Sequence, residues 1–169
     1  MKHLVFVFLT GLFCSGCTDQ TTNNTPKPME NQQSLQAANN QFYDALNIMF
    51  TGDVGPVNAV WSHEADITYM GPFGGMHSGW EQVGAEFANV AALKIGGSIS
   101  CENLEVRVLG DVGYTLCVEA GENLDNEGNP VPVRHRATNV FRKENGVWKL
   151  VHHHTDISGQ LQESTGISE

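Results

Sequence analysis

From Ser98 onward the chain is four consecutive strand-like runs, Ser98 to Val108, Val112 to Glu122, Val131 to Arg142 and Val147 to Ile157. The segments between them are turn sequences: Gly110-Asp111, the loop LDNEGNP over 124–130, and Asn145-Gly146. Gly paired with Asn or Asp supplies the positive φ angles of tight hairpins, so each run returns antiparallel to the one before. Such a meander has one apolar face to cover, and the only other part of the chain with core periodicity lies before it. Leu35, Ala38, Phe42, Ala45 and Met49 recur at helical steps and predict a helix over Ser34–Phe50. A second begins near Gly55 or Pro56, with Asp53 to cap it and Val57, Val60 and Trp61 turned inward. A third runs over Gly79–Leu93, opened by the box-like Ser78-Gly79-Trp80-Glu81 and continued by Val83, Phe87, Val90 and Ala91. Between the last two, ADITYMGPFGGMHSG reads as a strand at Ile67 and Tyr69 leading into a glycine-rich loop. The fold class is α+β: a cone-shaped, curved, mainly antiparallel sheet wrapped around three N-terminal helices, with a pocket between helices and sheet.

At 169 residues the chain has room for one core. Its 19 acidic against 9 basic residues give a net charge of -10, which repels phosphate backbones and removes nucleic acid from the expected partners. Residues 1–17 read as a signal peptide: Lys2 and His3, an apolar run from Leu4 to Phe13, then small residues. That run is about half of what spans a bilayer. Cys14-Ser15-Gly16-Cys17 resembles a bacterial lipoprotein processing box, although Cys14 stands where Leu is usual. The resemblance implies lipidation at Cys17, and Thr18 after it resembles outer-membrane sorting, so the membrane is reached only through a lipid anchor, facing the periplasm. Residues 18–33 read as a flexible linker, 34–158 as the domain and 159–169 as a C-terminal tail. Cys101 and Cys117 would lie in an oxidising compartment, but a regular hairpin around Gly110 pairs residues whose numbers sum to about 221. That register puts them on opposite faces and predicts two separate thiols.

WSHEADITYMGPFGG with the following GWEQV, and RATNVFRKENGVWKLVHHHTD at the end, are similar to the SnoaL-like branch of the nuclear transport factor 2-like superfamily. The resemblance covers Ser34 to Ile157. It implies the cone fold and a homodimer, and it leaves function open, since the superfamily includes ketosteroid isomerases, cyclases, epoxide hydrolases and dehydratases. The aspartate base and tyrosine-centred oxyanion hole of the isomerases have no matching motif here.

Regular alternation sends His152 and His154 to one face of the last strand with His135 of the strand before, and His153 to the other with Arg136, Thr138 and Thr155. Three imidazoles on one face suit either a transition metal or a hydrogen-bonded cluster. The second set suits a carbonyl or carboxylate ligand, or a polar contact surface. Asp66 offers a general base or a turn residue, and Tyr69 a donor to an oxyanion. Trp61, His63, Trp80 and Tyr114 are candidate lining. The expected ligand is a small, partly apolar organic molecule. The expected chemistry is proton transfer beside a carbonyl by His152 or His154 with Asp66 and Tyr69, without a cofactor. A non-catalytic binding or dimeric assembly module and a metal enzyme ligated by His135, His152 and His154 are the competing readings.

Overall fold

The computed structural model describes residues 28–166. The signal sequence, the lipidation position Cys17 and most of the linker lie outside the described residues. Four helices and six strands follow in the order α1 (Pro28–Met49), α2 (Gly55–Val60), β1 (Thr68–Gly71), β2 (Gly74–Ser78), α3 (Gly79–Leu93), β3 (Ser98–Leu109), β4 (Val112–Leu124), β5 (Pro130–Glu144), β6 (Val147–Thr155) and α4 (Gly159–Thr165). The six strands form one sheet in the order β2-β1-β6-β5-β4-β3, antiparallel except where β1 runs parallel to β6. Among the described residues no helix is long and apolar enough to cross a membrane.

The first helix starts at Pro28, seven residues before the apolar period begins at Leu35. Proline suits a first helical turn, and the polar residues after it extend the helix into solvent. From Leu35 on, α1 buries Phe42, Ala45, Leu46 and Met49 against the sheet, with Asn39 and Tyr43 in the same buried row. Asp53 accepts a hydrogen bond from the Gly55 amide (2.9 Å), but the cap position of α2 is Val54 and no side chain caps it. At the start of α3 the Ser78 side chain makes no cap; Gln82 reaches back to accept from the Ser78 amide (3.2 Å). The glycine-rich run after Pro72, expected as loop, pairs with β1 as the edge strand β2. Residues 159–165, expected as tail, form α4.

Two irregularities decide which side chains face the helices. Near its turn the β3–β4 hairpin keeps the expected register, Leu109 opposite Val112 through Glu105 opposite Leu116. Between Glu105 and Glu102 the pairing slips by one, so that Cys101 stands opposite Glu119. Asn103 in the slip has a φ of 54°. An extra residue inverts the alternation beyond it. Cys101 therefore turns to the inner face, diagonal to Cys117, and the two form a disulfide with Cα atoms 5.7 Å apart. The expectation of two separate thiols is corrected by that slip.

The β5–β6 hairpin repeats the device. Phe141 lies opposite Leu150, as regular alternation requires, but Val140 lies opposite His152, leaving Val151 as the extra residue. Beyond it Asn139 faces His153 and Ala137 faces Thr155. His153 and Thr155 thus join His135, Ala137 and Asn139 on the inner face, while His152 and His154 join Thr138 and Arg136 outside. The face assignment read from alternation is reversed past Val151.

Candidate functional site

The inversion at Val151 places a polar cluster inside the cone. Glu119 of β4 and His153 of β6 are 3% and 2% exposed. The Tyr43 hydroxyl donates to Glu119 Oε1 (3.1 Å) and the Thr155 hydroxyl donates to Oε2 (3.0 Å). The Asn139 amide nitrogen donates to Asn39 Oδ1 (3.0 Å) and to the Tyr43 oxygen (3.3 Å), and Thr115 also donates to Asn39 Oδ1 (2.7 Å). This leaves Asn139 Oδ1 to accept from His153 Nδ1 at 2.6 Å. The proton therefore sits on Nδ1, and Nε2 turns its lone pair toward Glu119 Oε1, 3.7 Å away. Tyr69 stacks on the His153 ring (5.6 Å, 18° between planes) and Phe42 meets it edge-on at 5.2 Å.

Burial dominates the electrostatics. It pushes the Glu119 carboxyl up to about 7, against the opposing hydrogen bonds from Thr155 and Tyr43. The same desolvation, with repulsion from His152 and His154, pushes His153 down to about 3. Tyr43 and Tyr69 are both raised, chiefly by burial, and stay protonated donors. At neutral pH the cluster holds one group near its midpoint, Glu119, among neutral donors.

Glu119 and His153 lie at the polar end of a narrow cavity whose other walls are largely aliphatic and aromatic, from α1 (Leu46, Met49), α3 (Val90) and the strands. Its volume is about 30 Å³, room for one or two waters. Tyr69 and His135 line it as well. The Tyr69 hydroxyl lies over Gly71, where a Cβ would strike it. His135 Nδ1 is buried without a hydrogen-bond partner among the described residues, and burial lowers that imidazole's basicity against an opposing pull from Asp156. Among the described residues no Lys or Arg lines the cavity.

Of the residues singled out in the sequence, Tyr69, His153 and His135 reach this cavity. His152 and His154 do not: His152 Nδ1 is bonded to the Thr68 hydroxyl (2.7 Å) on the outer face, and His154 is exposed there. His135 is on the opposite side of the sheet from both, and among the described residues no three His, Cys, Asp or Glu side chains are grouped to hold a metal. Asp66 is exposed and forked onto Arg142 (2.6 and 3.1 Å), which holds its carboxyl below the usual range. Arg136 is exposed and paired with Asp156 at 3.0 Å. Thr138 and Tyr114 are half-buried on the outer face. Trp61 is core, edge-on to Phe87 and Tyr69, and His63 stacks on Trp80 (3.8 Å) outside the cavity. The residues that sequence reasoning passed over are Glu119, Tyr43 and Asn139. A charged residue at an inward position of β4, VGYTLCVEA, was the available signal, and it stayed hidden among apolar neighbours.

Three solved structures share this architecture. A proposed dehydratase of the nuclear transport factor 2-like family from Streptomyces avermitilis is 26% identical with a TM-score of 0.69, covering 78% of this chain and 99% of that one. A proposed calcium/calmodulin-dependent protein kinase type II association domain from Thiobacillus denitrificans is 22% identical (TM-score 0.61; 73% and 94% covered). A proposed aromatic ring hydroxylase from Novosphingobium aromaticivorans is 19% identical (TM-score 0.64; 78% and 92% covered). The latter two speak to fold alone. The comparison with curated proteins gives no match. Residues 35–157, from the first buried leucine of α1 to just past β6, match the SnoaL-like domain, and the chain belongs to that family.

Proposed function

We infer that the cavity is an acid–base site for proton transfer beside a carbonyl, in an isomerase or dehydratase, acting on a small, uncharged, partly apolar organic molecule. The observation that carries this is Glu119: a carboxyl at the polar end of an apolar cavity, held by two hydroxyl donors and ionising near neutrality, where a general base works best. With the Glu119 carboxylate as base, the carbon–hydrogen bond next to the carbonyl breaks to an oxygen of Glu119. The developing oxyanion takes a hydrogen bond from the Tyr69 hydroxyl. Returned to another carbon, the proton completes an isomerisation; passed to a departing hydroxyl as the double bond forms, it leaves as water. Side chains alone carry such a step. The ligand is uncharged because no Lys or Arg among the described residues lines the cavity and a carboxylate or phosphate would meet Glu119. The similarity to a proposed dehydratase agrees with this reading. His153 does not shuttle the proton: it holds position, neutral, between Asn139 and Tyr69.

The test is deuterium exchange. In D2O, the full chain should accelerate exchange of the α protons of cyclohexanone, with the rate rising through pH 7 as Glu119 ionises, and Glu119→Gln should abolish the acceleration. Exchange that Glu119→Gln leaves untouched rules the reading out.

Lipid anchoring at Cys17 and a periplasmic location complete the proposal. They are supported by the apolar run and cysteine of residues 4–17 and by the Cys101–Cys117 pairing, since disulfides persist in oxidising compartments. Mass spectrometry of the N-terminal peptide checks them: an unmodified Cys17 in membrane-extracted protein removes the anchor. A homodimer through the outer sheet face is supported by its apolar row of Tyr114, Leu116, Val118 and Val140, with Leu116 40% exposed. A sedimenting species of monomer mass at micromolar concentration counts against it.

A further inference from the structure

The helix α4 makes one wall of the cavity with a single side chain. Leu161 is 1% exposed and lines the cavity. A seven-residue helix is not stable by itself. This one is held by Ser158, whose amide donates to the Pro72 carbonyl (2.9 Å), and by Gln162, whose side-chain amide donates to the Phe73 carbonyl (3.1 Å). Both acceptors lie in the turn between β1 and β2, and Pro72 and Phe73 line the same cavity. Leu161 therefore closes the space between this turn and the sheet. On its other flank α4 borders an open cleft against the start of β5, where Gln160, Glu163 and Ser164 face Pro130 and Pro132 without filling the gap. A cavity of about 30 Å³ is far smaller than the several hundred cubic ångströms that ligand pockets occupy. Among the helices that line it, α1, α3 and α4, the last is a short helix attached by two hydrogen bonds and a leucine.

We propose that α4 is the movable cover of the cavity and that Leu161 sets the size of the molecule admitted. The inference rests on the cavity being the ligand site. With α4 lifted, Leu161 leaves the wall, and an uncharged molecule enters beneath it. A compact ligand lets the helix reseat; a bulkier one is held off by the leucine side chain and binds more weakly.

The experiment uses the full chain and N-phenyl-1-naphthylamine, an uncharged three-ring probe that brightens in apolar surroundings. In wild-type protein the observed binding rate should level off as probe concentration rises, because opening of α4 comes first. Leu161→Ala should bind the probe at least tenfold more tightly and lose that ceiling, and Leu161→Trp should exclude it. Gln162→Ala leaves the buried leucine in place and should raise the ceiling by about two- to tenfold, the worth of one hydrogen bond. Native far-UV circular dichroism of each variant accompanies the measurement. Wild-type affinity and rate in all three variants, or no probe binding by any folded form, overturns the cover. The Glu119 carboxyl, followed by carbon-13 NMR, separates this from the acid–base reading. Titration near 7 with probe binding indifferent to Leu161 removes the cover alone. An ordinary carboxyl titration with binding that follows Leu161 removes the acid–base role alone.

Discussion

Glu119 Oε1 and His153 Nε2 stand 3.7 Å apart at the polar end of the cavity, and over most of the acidic range neither is charged. Burial raises the carboxyl to about 7 and lowers the imidazole to about 3, so between those values a carboxylic acid faces a neutral ring. The geometry is that of a salt bridge, but the cost of desolvating both charges prevents one from forming.

That relationship gives stability a defined pH profile. The folded carboxyl binds its proton more tightly than an unfolded glutamate (4.5), so its contribution is complete below about pH 4.5 and is lost as pH rises to 7. The folded imidazole resists protonation relative to an unfolded histidine (6.5), so stability is lost as pH falls from 6.5 to 3. The two slopes oppose each other between about 4.5 and 6.5, where the protein should be most stable. Glu119→Gln should match wild type near pH 4.5 and exceed it by roughly 2–3 kcal/mol above pH 7.5 in urea denaturation. Parallel profiles for the two proteins would show that Glu119 ionises normally.

Asn139 and Thr138 are chain neighbours on opposite faces of β5. Asn139→Ala strips the acceptor from His153 Nδ1 and the donor from Asn39 and Tyr43, all buried, and should cost about 2–4 kcal/mol. Thr138→Ala should change stability by no more than about 0.5 kcal/mol. Equal costs in thermal or urea unfolding would contradict the inward placement of Asn139.

The disulfide crosses the slip in β3 and closes a loop with a sequence separation of 16. Replacing both Cys101 and Cys117 by Ala should lower the unfolding free energy by about 3 kcal/mol, with wild type falling toward that value in strong reductant. Insensitivity of wild type to reductant, once thiol labelling confirms reduction, would argue against that contribution. Cys117 Sγ lies 3.2 Å from the Tyr43 hydroxyl, so the Glu119 titration should also shift on reduction.

Gly71 leaves the space that the Tyr69 hydroxyl occupies. Gly71→Ala should displace the ring, destabilise the domain by about 1–3 kcal/mol and reduce the ketone exchange rate. Retention of both stability and exchange would mean that Tyr69 does not act from this position.

Much of the architecture was legible in the sequence because it depends on local chemistry. The helical period of Leu35, Phe42 and Met49, the inward Val83 and Phe87, and the hairpins at Gly110-Asp111 and Asn145-Gly146 each follow from side-chain spacing or from glycine's access to positive φ. Tyr69 was singled out as a candidate donor by residue type, and the structure places it in the cavity. Glu119, the proposed base, was not singled out. Which of two neighbouring residues enters the cone depends on whether a strand carries an extra residue, and bulges at Asn103 and Val151 reverse the parity on which alternation relies. Those two slips turn Cys101 toward Cys117 and bring His153, rather than His152 and His154, beside Glu119. Likewise, nothing periodic in residues 159–165 marks a helix, because α4 exists through Leu161 and two hydrogen bonds to a turn some ninety residues earlier in the chain. The sequence by itself determined β1, the four long strands and the first three helices, in their order. Only the tertiary structure decided which faces meet, because register is settled by packing between segments distant in the chain and not by the residues of any one of them.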